Sequence, residues 1–147
     1  MITIGPHTLE DIVGHARAEA PLECCGLLIG RVSTTAAVGS HVVVESSARM
    51  RNIRDSATRY QVDPAEHFAA IRKARSEGRE IVGAYHSHPR SAPVPSPTDI
   101  AEAVGPGFLY VIVSLLDDRN PEIRGYRIDE GRVTAVPLQS LNVSAPG

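Results

Sequence analysis

Cysteine is nearly absent from this chain: two in 147 residues, side by side as Cys24 and Cys25. Adjacent cysteines rarely bridge, because the geometry is strained. Nor can two thiols build a closed structural zinc site of the four-cysteine type. They read as a reduced, buried pair at the start of an apolar run. Surplus positive charge is absent too. With 15 Lys and Arg against 17 Asp and Glu the formal net charge is -2, which gives no electrostatic footprint for nucleic acid. The first twenty residues contain Glu10, Asp11, Arg17 and Glu19. No apolar run there is long enough for a signal peptide or a membrane span, and the expectation is a cytoplasmic protein with no membrane partner. The length suits one domain with its own core. That domain is expected over residues 1–138, with a loose tail over 139–147.

What is present reads as alternating helices and strands. "TLEDIVGHARAEAP" is an amphipathic helix, with a capping box from Thr8 to Asp11, apolar residues on one face and Pro21 as its stop. "CGLLIGR" and "SHVVVESS" read as strands, the second ending near Ser46. Residues 48–60 carry four arginines without periodicity and read as a mobile loop. "DPAEHFAAIRKARSEG" is a second helix, with Asp63 as N-cap, Pro64 in the first turn, Glu66 completing the box and Gly78 closing the end. "EIVGAYH" is a strand, and a short helix follows from Ser96 to about Val104. "FLYVIVSLL" is a near-continuously apolar central strand. "EIRGYRI" and "RVTAVPL" alternate around a turn at Asp129-Glu130-Gly131. This order predicts an α/β domain with one mixed sheet flanked by helices.

The segment "YHSHPRSAPVPSPTD" stands out. On a strand His86 and His88 project from one face. Taken alone they are two histidines at a strand end. Ser96, Pro97 and Asp99, taken alone, are a capping box with proline in the first helical position. Together they say more. A proline-rich loop between strand and helix brings the Asp99 carboxylate beside the two imidazoles. Two histidines and one acid, with one position left for water, is the pattern of a catalytic zinc site, since structural sites are closed by four protein ligands. The proton mover that such a site needs is Glu23, a charged residue at the mouth of an otherwise apolar strand.

Glu23, then "HSHP", then "SPTD" placed seven residues after His88, is similar to the signature of the JAMM, or MPN-plus, metallopeptidases, small stand-alone prokaryotic type. "PLECCGLLIG", "YQVDPAEHF" and "VGAYHSHP" resemble further segments of that family, so the likeness covers nearly the whole domain. The resemblance implies a three-layer, cytidine-deaminase-like fold with Zn2+ bound by His86, His88 and Asp99. It implies Glu23 as general base, Ser96 as hydrogen-bond donor to a tetrahedral oxyanion, and no assigned chemistry for Ser87. The implied reaction is cleavage of the amide or isopeptide bond at the C-terminal tail of a ubiquitin-like or sulfur-carrier protein. Arg51, Arg54 and Arg59 are candidates for docking that partner, and a homodimer stays open. Two other readings stand against this one. A non-catalytic scaffold of the same fold calls for a broken motif, and here every position is filled. A nucleobase deaminase calls for H-x-E with P-C-x-x-C, and neither part is present.

Overall fold

A computed structural model describes residues 1–36, 39–105 and 107–140. Among them lie eight strands and three helices: β1 (Ile2–Ile4), α1 (Pro6–Glu19), β2 (Cys25–Thr35), β3 (Gly39–Met50), α2 (Pro64–Ser76), β4 (Glu80–His88), α3 (Pro97–Ala101), β5 (Leu109–Ser114), β6 (Glu122–Asp129), β7 (Arg132–Val136) and β8 (Leu138–Ser140). The strands form one mixed sheet in the order β7-β6-β5-β4-β2-β3-β1-β8. β4 and β5 run parallel at its centre, and β2 pairs antiparallel with both β3 and β4. β7 and β8 stand at opposite ends of that order, yet only Pro137 separates them along the chain. The sheet must therefore curl until its two ends approach each other, and Leu138 of β8 lies against Gly125 of β6.

Both faces of the central strands are covered. Ile12 and Ala16 of α1 pack with Tyr85, Val111 and Val113 on one face. On the other, Tyr110 and Ile112 meet Ile100 and Ala103 from and just beyond α3. Every residue of β5 is buried, which explains why its sequence is an apolar run without alternation. The layering is the α/β/α arrangement expected. No helix among the described residues is long and apolar enough to cross a membrane.

Several local readings change. α1 begins at Pro6 with Gly5 as N-cap, and no side chain caps it. Proline's fixed φ starts the helix ahead of Thr8. Thr8 is buried and donates to the Glu45 carbonyl (3.4 Å), so the Thr8–Asp11 capping box does not form. β1 went unforeseen because three residues are too few to show a period. β3 continues past Ser46 to Met50, held by backbone pairing with β2 from Leu28↔Ser47 to Cys25↔Met50. α3 ends at Ala101 instead of reaching Val104. In α2, Asp63 caps the amides of Ala65 and Glu66 as expected, whereas Glu66 accepts from the Arg51 amide (2.8 Å) instead of closing its own box. The turn between β6 and β7 holds Glu130 at φ 47° and Gly131 at φ 81°, the pair of positive values that a two-residue hairpin of this hand requires. Gln139 and Ser140, expected in the loose tail, belong instead to β8, paired with β1, and beyond residue 140 the expected tail lies outside the described residues.

Gly26 faces Tyr85 so closely that a Cβ would stand only 2.2 Å from its ring carbons. Gly26→Ala is expected to displace that ring and cost about 1–3 kcal/mol, the usual range for overpacking. Urea unfolding measures it, and an unchanged midpoint would contradict this packing.

Candidate active site

β4 delivers two imidazoles. Alternation along the strand turns Tyr85 toward α1, where its hydroxyl meets Nδ1 of the buried His15 at 2.7 Å, and turns His86 and His88 to the opposite face. Both rings are buried, His86 at 1% exposure and His88 at 6%. The loop after His88 folds back and is tied down where Ser114 Oγ donates to the Ser91 carbonyl (2.6 Å). It leads into the α3 capping box. Ser96 Oγ accepts from the Asp99 amide at 3.0 Å, and Asp99 Oδ2 accepts from the Ser96 amide at 2.9 Å. The short strand-to-helix return thus has the form read from the sequence, and it sets the Asp99 carboxylate against both imidazoles.

The three atoms form a small triangle. His86 Nε2 lies 3.1 Å from His88 Nε2 and 3.1 Å from Asp99 Oδ2, and His88 Nε2 lies 3.2 Å from that same oxygen. Ligands held about 2.0–2.1 Å from a tetrahedral ion stand roughly 3.3 Å apart, so the triangle has the size of one face of such a shell. His88 Nδ1 is 2.9 Å from the Ala92 carbonyl. Donating there leaves Nε2 with its lone pair inward, as a metal-binding imidazole requires. Two imidazoles and a carboxylate are a donor set that fits a divalent cation of the zinc kind.

Glu23 closes the group. Its carboxylate and the two imidazole nitrogens fall within 4.8 Å of one another, a looser spacing than the sides of the Asp99 triangle. Glu23 is only 5% exposed and its Oε1 has no hydrogen-bond partner. Loss of water pushes the carboxyl up to about 7; the His88 ring pulls it down and the Asp99 charge pushes it further up. Burial also works upward on Asp99, but the bonds from His86 and His88 overturn it and hold that carboxyl well below its usual range. Burial lowers the His86 ring against the pull of Asp99. For His88, burial is outweighed by the bonds to Asp99 and Ala92, and its pKa rises. Two acids beside the same imidazole pair are driven in opposite directions, the usual mark of divided acid–base roles.

Three residues that sequence reasoning left without a role help to build the site. Ser87 is fully buried between the histidines; its Oγ accepts from the Cys24 amide (2.8 Å) and its amide donates to the Cys24 carbonyl (3.1 Å). Those bonds lock the Glu23 segment to β4. Strand parity put Ser87 on the face opposite the imidazoles, which was the available signal. Tyr60 stacks on His86, with ring centroids 4.3 Å apart and planes 18° from parallel. Asn52 is buried beneath the arginine-bearing loop, and its Nδ2 donates to the Glu23 carbonyl. A single Asn in an aperiodic stretch offered no signal. The loop itself differs from the mobile one expected, because backbone bonds from Ile53 to Gln61 and from Asp63 to Arg51 close its base. Arg51, Arg54 and Arg59 are exposed on it. Cys24 and Cys25 are free and buried, with thiols pushed up by burial to about 11 and about 12. They are unbridged and buried, as expected.

The sequence profile for prokaryotic homologues of the JAB domain matches residues 6–129. The chain belongs to the JAB domain family. This JAB protein is 35% identical over 117 residues to the desampylase of Haloferax volcanii, covering 77% of this chain and 80% of that one. It is 33% identical over 138 residues to the CysO-cysteine peptidase of Mycobacterium tuberculosis, covering 94% and 90% respectively. A solution structure from Desulfitobacterium hafniense superposes with a TM-score of 0.84 at 30% identity, over 95% of this chain and 92% of that one. The chain is thus an enzyme of the peptidase kind, in a metal-dependent family, and its own buried Glu-His-His group could hold such an ion.

Removing the Ser87 hydroxyl strands the buried Cys24 amide. Ser87→Ala is therefore expected to lower stability by about 1–3 kcal/mol, the cost of a buried unsatisfied donor. Thermal or urea unfolding reads it out, and an unaltered transition would show that this tie contributes nothing.

Proposed function

We propose that this JAB protein is a zinc-dependent hydrolase that cuts the amide bond at the C-terminal tail of a ubiquitin-like or sulfur-carrier protein. His86, His88 and Asp99 are its metal ligands, and Glu23 its general base and acid. The observation that carries the reading is a triangle of donors of zinc size beside a buried, unpartnered carboxyl whose pKa sits near neutrality. A zinc ion held there would polarise the scissile carbonyl and lower the pKa of a water molecule. Glu23 Oε1, free of any protein partner, accepts a proton and returns it to the departing amine, which a carboxyl near pH 7 does most efficiently. Ser96 Oγ already accepts from the Asp99 amide, leaving its own O–H to donate to the developing oxyanion. Asp99, oriented by the Ser96 amide, stays ionised as a ligand.

The relatives' names, desampylase and CysO-cysteine peptidase, favour a modifier or carrier tail as the substrate. Arg51, Arg54 and Arg59 offer positive charge for docking it, since no acidic side chain pairs with them among the described residues. The two unbridged thiols suit a reducing compartment, which supports reading the enzyme as cytoplasmic. The alternative, a non-catalytic scaffold, has no observation in its favour, because every motif position is filled.

The purified protein should hold about one zinc per chain, and His86→Ala or His88→Ala should empty the site. Full metal occupancy in both variants would remove the assignment. Glu23→Gln should keep the zinc while hydrolysis of a carrier conjugate falls by about two to four orders of magnitude. Asp99→Asn should lose metal and activity together. Metal analysis beside a cleavage assay separates the two roles; a zinc-free Gln variant, or one cleaving near normally, sinks the role given to Glu23.

A further inference from the structure

Glu23 cannot hold its own carboxylate in place. Its Oε1 has no hydrogen-bond partner, so the position of that group is set by the backbone beneath it. Two bonds anchor this backbone to the arginine-bearing loop. The Glu23 amide donates to the Ser56 carbonyl at 2.8 Å, and the Glu23 carbonyl accepts from Asn52 Nδ2 at 3.0 Å. We infer that Asn52 is the positioning residue for Glu23, and that through it the loop sets where the proton-transferring carboxylate stands.

The Asn52 carboxamide is saturated. Nδ2 donates to the carbonyls of Glu23 and Arg59, both at 3.0 Å. Oδ1 accepts from the amides of Arg54 and Gln61, both at 3.0 Å. An amide side chain has two N–H donors and two lone pairs, and all four are used. The orientation admits no flip, since both partners of Oδ1 are backbone N–H groups and both partners of Nδ2 are carbonyls. Asn52 is 9% exposed, so water does not readily replace a lost partner. No other residue type offers two donors and two acceptors on so short a stem. The same loop ends at Tyr60, stacked on His86. One closed segment therefore touches the base at one end and an imidazole of the triangle at the other, and Asn52 is the bolt between its halves.

The two halves of the carboxamide can be tested apart. Asn52→Asp keeps an acceptor for the Arg54 and Gln61 amides but turns an oxygen toward the carbonyls of Glu23 and Arg59. Asn52→Ala removes both halves and adds no buried charge. The inference rests on the Glu23 role proposed above, so one of its readouts needs no substrate. Hydrogen exchange on the full chain should show faster exchange at the Glu23 amide in both variants. In Asn52→Asp the Arg54 and Gln61 amides should stay protected. Zinc content should match wild type in both. Activity is read on a ubiquitin-like carrier joined through its Gly-Gly tail to a lysine side chain, per bound zinc and well below the melting temperature. There kcat should fall about ten- to a hundred-fold, with KM within about twofold of wild type, as expected for a misplaced catalytic group. A purely structural Asn52 would lower the melting temperature and leave kcat per zinc unchanged, and that result overturns the inference. Unchanged exchange at the Glu23 amide in Asn52→Ala overturns it too, whether or not any carrier is cleaved. A wild-type protein that binds zinc and cleaves nothing counts against the proposed function, and the exchange result still decides the anchoring of Glu23.

Discussion

One carboxylate oxygen organises this molecule. Asp99 Oδ2 meets the Ser96 amide at 2.9 Å, His86 Nε2 at 3.1 Å and His88 Nε2 at 3.2 Å. The first of these contacts belongs to helix capping and the other two to the proposed metal site, and a single atom serves both. α3 is only five residues long, too short to persist by propensity alone, so its start is fixed by this cap and by the loop behind it. The histidines in turn need β4 to reach its final residue in strand geometry, which the parallel pairing with β5 as far as His88↔Ser114 ensures. If the oxygen is lost, strand end and helix start keep the Ser114–Ser91 tie and the packing of Ile100, but the direct link between imidazoles and cap is gone.

Around that point the protein handles buried polarity unevenly. Asp99 Oδ2 meets three partners, and its carboxyl is held well below the usual range. Glu23, buried nearby, has an oxygen with no partner and a carboxyl pushed up to about 7. Leaving a buried oxygen unsatisfied costs stability, and such costs concentrate where function requires a group to exchange its proton. The surrounding bonds therefore fall on backbone: Ser87 to Cys24, Asn52 and Ser56 to Glu23. They fix where the carboxylate stands without engaging it.

The site was legible in the sequence because its parts carry local signals. His-x-His declares itself by strand parity, Ser96 to Asp99 by capping chemistry, and Glu23 by contrast with the apolar residues after it. The central strands and α2 were legible for similar reasons of period and punctuation. What escaped is held by long-range or backbone forces. β1 is three residues held by pairing with β3 and β8 and by the burial of Ile2 and Ile4 in the core. The end of β3 is a polar run kept straight by β2, and α1 starts earlier than its side-chain pattern suggested because Pro6, not Thr8, sets its first turn. Asn52 shows nothing at all until the loop is closed around it. Residues that make a site possible through their backbone neighbours leave no periodic or compositional trace.

The pairing of β1 with β8 joins residues 2–4 to residues 138–140 in one ladder, Ile2↔Leu138 to Ile4↔Ser140. Contacts so far apart in sequence make loop closure an early loss and a late gain, and slow the search for the native state. In chain order β1 precedes β3, and of the described strands β8 comes after all the others. Until residues 138–140 are in place, one edge of β1 has no strand beside it, and an unpaired edge of this kind is open to pairing with another chain.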